Sequence, residues 1–261
     1  MVKISTLILI AFFTNIINVG LAQDFTASIS GKHNTIVLIP DNAGKSSVKN
    51  DSVDIDNEFK CGDSFVVFNG IKYNTVEFNG RCWLDRNLGA KRVAQYPDDK
   101  EAFGYYFQWG RPADGHEEYN SIPTILLSEV DNPGFAGFIT TNTPPYDWHN
   151  PQNNRLWEKT DDNSLNPCPD GWEVASKSDF DVLLSGNNSI LGLFKSPLRI
   201  PAAGYRSGKT GTISDTGSAV FLWSSDSSGK KAYALEADNT QAKQKKFTRA
   251  NGMPVRCVKS K

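Results

Sequence analysis

Residues 65–84 read FVVFNGIKYNTVEFNGRCWL. Three runs rich in β-branched and aromatic residues, Phe65–Phe68, Ile71–Phe78 and Arg81–Leu84, are separated by Asn69-Gly70 and Asn79-Gly80. Asn-Gly supplies the two positive φ angles of a type I′ turn, so the stretch predicts a three-stranded antiparallel meander. In a meander the first and third strands start at the same end of the sheet. Cys61 and Cys82 can therefore meet, and this pairing is favoured.

Downstream, residues 98–109 place Phe103, Tyr106 and Phe107 on one helical face, with Asp98 or Asp99 as N-cap. Gly104 weakens the helical pattern, and a strand is the alternative. Residues 110–167 are rich in Asn, Asp, Pro and Gly and read as irregular, a length that marks a functional or insertion-like loop. Ser176-Lys177-Ser178-Asp179 resembles a capping box ahead of an apolar stripe at Phe180, Leu183 and Leu184, stopped by Gly186 and Asn187. Short strands follow around Leu198–Ile200, Ala219–Trp223, Ala232–Ala237 and Pro254–Lys259. Meander, helix, loops, helix and strands in that order predict a compact loop-rich α+β domain. It would have short antiparallel sheets and one or two helices, not alternating βαβ units.

Upstream, residues 1–22 read as a secretory signal peptide. Lys3 starts it, Leu7–Phe13 and Ile16–Val19 form the apolar run, and Gly20-Leu21-Ala22 prepares cleavage before Gln23. Thr14, Asn15 and Asn18 interrupt the run, which argues against a membrane anchor. No Cys at the cleavage site points to lipidation, and no later segment is long and apolar enough to span a bilayer. Residues 23–60 read as an arm and linker, with one strand at Thr35–Ile39 stopped by Pro40 and a polar spacer over 41–59. The domain proper is 61–261. The expected location is secreted or cell-surface, with the periplasm as an alternative.

The chain has 261 residues, 39% hydrophobic and 22% charged, with a formal net charge of -1. That balance removes the electrostatic argument for nucleic acid or an anionic membrane as partner. The four cysteines, Cys61, Cys82, Cys168 and Cys257, imply two disulfides in an exported chain. Four cysteines allow three pairings, and their spacing does not choose among them. No C-x-x-C or Cys/His spacing points to zinc or thioredoxin-like chemistry.

A series of motifs resembles a known family. They are Cys61-Gly62, Tyr73-Asn74-Thr75-Val76, Cys82-Trp83-Leu84-Asp85-Arg86-Asn87-Leu88-Gly89-Ala90, and Tyr106-Phe107-Gln108-Trp109-Gly110-Arg111 followed by Asp114-Gly115-His116. Later come Asn166-Pro167-Cys168-Pro169-Asp170-Gly171-Trp172, Pro201-Ala202-Ala203-Gly204-Tyr205-Arg206, Leu222-Trp223-Ser224-Ser225 and Val255-Arg256-Cys257-Val258. In this order they resemble the Fibrobacter succinogenes major paralogous domain family, over roughly Cys61 to Lys259. One departure is Glu173-Val174-Ala175-Ser176, where the family usually has a Pro near Ala175; Ser176 can still cap. The resemblance implies a fold similar to the C-type lectin-like and formylglycine-generating-enzyme group. It also implies that Cys168 pairs with Cys257, leaving Cys61 with Cys82. The family has no well-defined shared activity, so function must be argued from a site.

Catalytic readings are weak. The histidines are His33, His116 and His149, and no Gly-x-Ser-x-Gly elbow accompanies them. If all cysteines are bridged no thiol nucleophile remains, which also counts against formylglycine-generating chemistry. The pairs Asp98-Asp99, Glu117-Glu118 and Asp161-Asp162 point apart on extended chain and read as solvated surface. No catalytic residue and no cofactor is expected. Weak metal candidates are Asp114, His116 and Glu117, or Asp147 with His149, calcium being the ion such loops would take. However, no Asp-x-Asp-x-Asp-Gly pattern is present, Asp54-x-Asp56 is too short a match, and no lectin-type Glu-Pro-Asn or Gln-Pro-Asp triplet occurs. The run from Gly204 to Gly217 lacks the ending of a phosphate loop.

Asp85-Arg86-Asn87, Arg111 and Arg206 read first as hydrogen-bonded knots that fix loops, since guanidinium can bond several carbonyls at once. Trp83, Trp109, Trp172 and Trp223 read as core. Trp148 and Trp157, in the long loop beside Tyr146, His149 and Arg155, are ligand candidates, and Arg206 joins them. The resulting expectation is an exported, non-catalytic binding or adhesion module. A glycan or surface protein would be held by a loop face over residues 111–160 and 204–228. The alternatives are an enzyme or accessory subunit acting on polysaccharide, and a structural component of a surface assembly attached through residues 23–60.

Overall fold

A computed structural model describes residues 2–3, 25–30, 35–40, 59–158 and 165–261. The expected leader beyond Val2–Lys3, the expected spacer up to residue 58, His33 and Asp161-Asp162 lie outside the described residues.

In chain order the first strands are β1 (Val2–Lys3), β2 (Phe25–Ser30), β3 (Thr35–Pro40), β4 (Phe65–Phe68), β5 (Ile71–Phe78), β6 (Arg81–Leu84), β7 (Phe107–Gln108), β8 (Pro123–Thr124), β9 (Phe138–Ile139) and β10 (Trp172–Val174). Helices α1 (Lys177–Leu184) and α2 (Ile190–Lys195) follow. Then come β11 (Tyr205–Arg206), β12 (Ile213–Ser214), β13 (Val220–Ser228), β14 (Lys231–Ala237), β15 (Ala242–Thr248), β16 (Gly252–Met253) and β17 (Cys257–Lys259). The chain is a loop-rich α+β fold. Among the described residues no helix is long and apolar enough to cross a membrane.

The meander forms with the predicted boundaries. Asn69 and Gly70 have φ of 49° and 76°, Asn79 and Gly80 of 50° and 73°, the left-handed pairs that a two-residue hairpin turn requires. The largest sheet runs β1-β2-β3-β4-β5-β6-β17-β10, antiparallel throughout. β17 enters beside β6 through Val258 and Trp83, which ties the end of the chain to the meander. One disulfide ties the approach to β4 to β6, and the other ties the approach to β10 to β17. Cys61–Cys82 spans 21 residues and Cys168–Cys257 spans 89, with Cα–Cα distances of 5.7 and 5.9 Å.

Period-2 alternation divides the buried side chains between two cores. Phe221, Trp223, Leu84 and Cys257 face one, and Val220, Leu222, Trp83 and Val258 face the other. α1 closes the second core with Phe180 and Leu183, Phe180 stacking on Trp83 at 6.4 Å. Its capping box is present: the Asp179 amide donates to Ser176 Oγ and the Ser176 amide to Asp179 Oδ2.

Sequence and structure differ at four places. Residues 98–109 are not one helix: a single 3-10 turn, Lys100–Ala102, is capped by Asp99, and the chain is extended again at β7. Gly104 breaks the helix, with φ at 77° and a position where a Cβ would lie 2.5 Å from the Leu88 carbonyl oxygen. Leu198–Ile200 is buried without being a strand. β15 was not anticipated because its sequence, AKQKKFT, hides the alternation behind lysines. It is the outer strand of the sheet β13-β14-β15, where lysines discourage unwanted pairing. The expected strand at Thr35–Ile39 forms as β3, but Pro40 belongs to it and it pairs with β2 and β4 of its own chain.

Candidate functional site

The long segment after β7 has little regular structure, so its backbone needs partners from elsewhere. Buried arginines supply them. Arg111 is fully buried and donates from Nη1 to Gln108 Oε1 and the Gly137 carbonyl, from Nη2 to the Phe135 carbonyl, and from Nε to Asp114. Arg206, 3% exposed, donates to the carbonyls of Gly211, Glu118 and Ser121 and to Ser121 Oγ, with its guanidinium 4.1 Å from the Phe138 ring centroid. Arg249 bonds the carbonyls of Asn153, Gly229 and Lys231 and packs over Trp109. Burial lowers the pKa of all three below the ordinary arginine value, Asp114 and Asp147 opposing the shift at Arg111 and Arg249.

These contacts decide the fate of the expected ligand residues. Arg206 is a staple whose donors are occupied within the protein. Trp148 is completely buried, with Nε1 donating to the Trp109 carbonyl. Trp157 is 6% exposed and packs on Trp109 at 5.7 Å. Trp148 offers solvent no face, whereas Trp157 keeps an edge on an open cavity lined also by Asn166, Glu173, Ser225 and Asp226; both rings pin an irregular backbone. His149 is buried against Trp148, Nδ1 bonded to the Pro151 carbonyl and Nε2 3.0 Å from Asp131 Oδ1. Tyr146 is half-buried at φ 63°, its ring facing Lys209. Arg155 is exposed and pairs with Glu158 at 3.0 Å. Trp148, His149 and Trp157 thus lie in one largely buried region, whereas Arg155 points its charge to solvent and Arg206 is spent on loop carbonyls.

Asp114, His116 and Glu117 do come together, their ligand atoms within 4.8 Å of one another. The hydrogen bonds show what they do. His116 Nε2 accepts the Gln108 amide at 3.0 Å, so Nδ1 carries the ring proton and donates to Asp114 Oδ1 at 2.7 Å. Glu117 Oε2 accepts the Gly115 amide, and Asp114 Oδ2 accepts from Arg111. The imidazole has no lone pair left for a cation. As arranged here the trio is a hydrogen-bonded knot that seats Arg111. Asp147 likewise accepts from Gln152 and the His149 amide.

A further surface lies on the outside of the same segment. Tyr119, Ile122, Ile125, Leu126 and Val130 are 74%, 78%, 87%, 73% and 58% exposed, and Phe135 joins them at 38%. The backbone beneath is held at both ends. Arg206 grips Glu118 and Ser121, Arg111 grips Phe135, and β8 pairs with β9 through Pro123–Phe138 and Thr124–Ile139. The available signal was Ile125-Leu126-Leu127, an apolar triplet inside an otherwise polar loop. Only Leu127 of the three packs toward the core. From residue 112 to 154 there is no Lys or Arg, against six acidic residues.

Compared with known proteins, the chain matches no family model, no curated protein and no solved structure.

Proposed function

We propose that this chain is an exported, non-catalytic binding or adhesion module. Its contact surface is the segment 119–135 and its ligand is a protein surface. The carrying observation is the pair Ile125 and Leu126, 87% and 73% exposed on a backbone stapled from below. A cluster of large apolar side chains held in water marks an interaction site. The charge pattern narrows the ligand. An apolar patch on a segment, residues 112–154, that carries six acidic residues and no Lys or Arg of its own suits a partner with a basic rim, and disfavours anionic bilayers or acidic polysaccharides. Export is supported by the signal-like residues 1–22 and the two disulfides. The fold is read as lectin-like, and the chain as resembling the Fibrobacter succinogenes major paralogous domain family. The ordered motifs, two helices, short antiparallel sheets and adjoining of β17 with the meander support that reading.

Photocrosslinking tests the proposal. A benzophenone amino acid at position 125 is expected to capture a specific surface protein, whereas one at the exposed Leu191 on α2 captures none. The purified captured protein should bind the wild-type chain and fail to bind Ile125→Asp/Leu126→Asp. Equal binding by both chains would sink the proposal. So would a saturable hit on a glycan array, with calcium or with chelator, that survives the double substitution.

A further inference from the structure

The hairpin β2–β3 is joined to the domain in an unusual way. β3 lies on the outer edge of β4, with Ile36, Val37 and Leu38 facing Val67, Val66 and Phe65. Yet the chain does not pass from β3 to β4 by a turn. Phe59 packs on Trp172 of β10 at 6.0 Å, Lys259 of β17 lies over its ring, and Cys61 is bonded to Cys82 of β6. Only then does the chain enter β4. β3 and β10 are five strands apart, about 24 Å at the usual strand spacing of about 4.8 Å. Eighteen residues, 41–58, connect Pro40 to Phe59. A chain of that length reaches up to about 60 Å when extended. Connectivity therefore does not dictate which copy's β4 receives a given hairpin.

The receiving edge does dictate that something must cover it. β4 is pinned in the sheet by Phe65, Val66 and Phe68, all buried. Among the described residues, β3 is the strand that pairs with its outer edge. An uncovered edge of this kind is a template for another chain. The register between β3 and β4 is the same whether the strand comes from the same copy or a neighbour.

We propose that β2–β3 is an exchangeable hairpin and that its second acceptor is the β4 edge of another copy of this chain. Reciprocal exchange closes a dimer; head-to-tail exchange propagates an assembly. The inference goes beyond the loop surface 119–135 and does not depend on it.

The facing pair Val37 and Val66 provides the test, since partners across an antiparallel ladder lie within disulfide range. Full-length chains carrying Val37→Cys and Val66→Cys, with different tags, are produced together and separated without reductant. A disulfide-linked heterodimer is expected, absent when Val37→Cys is combined with Leu191→Cys. The double variant Val37→Cys/Val66→Cys reports the pairing inside one chain. Intramolecular closure of the double variant, with no heterodimer from the separate variants, would show that each hairpin stays on its own copy and would overturn the proposal. So would absence of both bonds in chains that keep the wild-type melting temperature. If the 37/66 variants misfold, the neighbouring pair Ile36/Val67 is read by the same outcomes.

Discussion

Arg111 Nη2 donates to the carbonyl oxygen of Phe135 at 2.7 Å, joining a fully buried cation to the end of the most exposed apolar segment in the domain. The same guanidinium holds Gly137, Gln108 and Asp114. Replacing it with Met takes the guanidinium donor from two carbonyls and leaves the largely buried Asp114 carboxylate with His116 alone. The expected loss for Arg111→Met is about 3 kcal/mol, the scale for breaking a buried charged pair on one side. Arg111→Lys keeps the charge but not the fork, and should recover only part of that loss. Denaturant midpoints measure the loss, and hydrogen exchange should show protection falling first over residues 119–137. Unchanged exchange there would mean that the loop does not depend on Arg111.

The outer face of the same segment should behave in the opposite way. Ile125 and Leu126 contribute little to either core, so Ile125→Asp/Leu126→Asp is expected to leave stability within about 0.5 kcal/mol of wild type, as for other surface positions. Removing exposed apolar area should also reduce self-association at high concentration. A large fall in the melting temperature would place these side chains in the fold rather than at an interface.

Much of the framework was legible because its signals are local. Asn69-Gly70 and Asn79-Gly80 determine the two turns by φ alone, and Ser176 with Asp179 determines the start of α1. The order of these elements excluded alternating βαβ. The candidate site was far less legible. Polar neighbours made Trp148 and Trp157 look exposed, but burial in an irregular segment depends on distant partners such as Trp109 and Arg249. Ile125 and Leu126 looked like ordinary loop residues, because exposure of an apolar side chain leaves no periodic trace. The hydrogen-bond donor to Phe135 comes from 24 residues away, beyond any local pattern.

Two acidic residues near the loop should respond oppositely to pH. Burial pushes the Asp114 carboxyl up, but the hydrogen bonds from the His116 ring and amide and the nearby Arg111 charge outweigh it, and its pKa falls below the ordinary 3.8. Its stabilisation is therefore present above about pH 4 and is lost as pH falls through the lowered folded value. At Asp147 burial dominates over Gln152, Arg249 and His149, and the pKa rises above 3.8. Its charge is a cost at neutral pH that diminishes as pH falls toward the raised folded value. Asp114→Asn should thus lower the urea midpoint at pH 7 and flatten its acid decline. Asp147→Asn, which keeps an acceptor for Gln152, should leave the pH 7 midpoint unchanged or higher. Equal losses at pH 7 would contradict this assignment.

The two disulfides should differ in worth because they close loops of different length. Cys61–Cys82 constrains 21 residues and Cys168–Cys257 constrains 89. In the chain-entropy view these correspond to about 3 and about 4.5 kcal/mol of unfolded-state restriction. The longer bridge also fastens β17 between β6 and β10, so its loss frees the chain end that completes the large sheet. Cys168→Ala/Cys257→Ala should therefore lower the unfolding free energy by more than Cys61→Ala/Cys82→Ala, and hydrogen exchange should reveal opening at Trp172–Val174 and Cys257–Lys259. If the shorter bridge proves the costlier to remove, its anchoring of the entry to β4, rather than loop length, governs how this fold is held together.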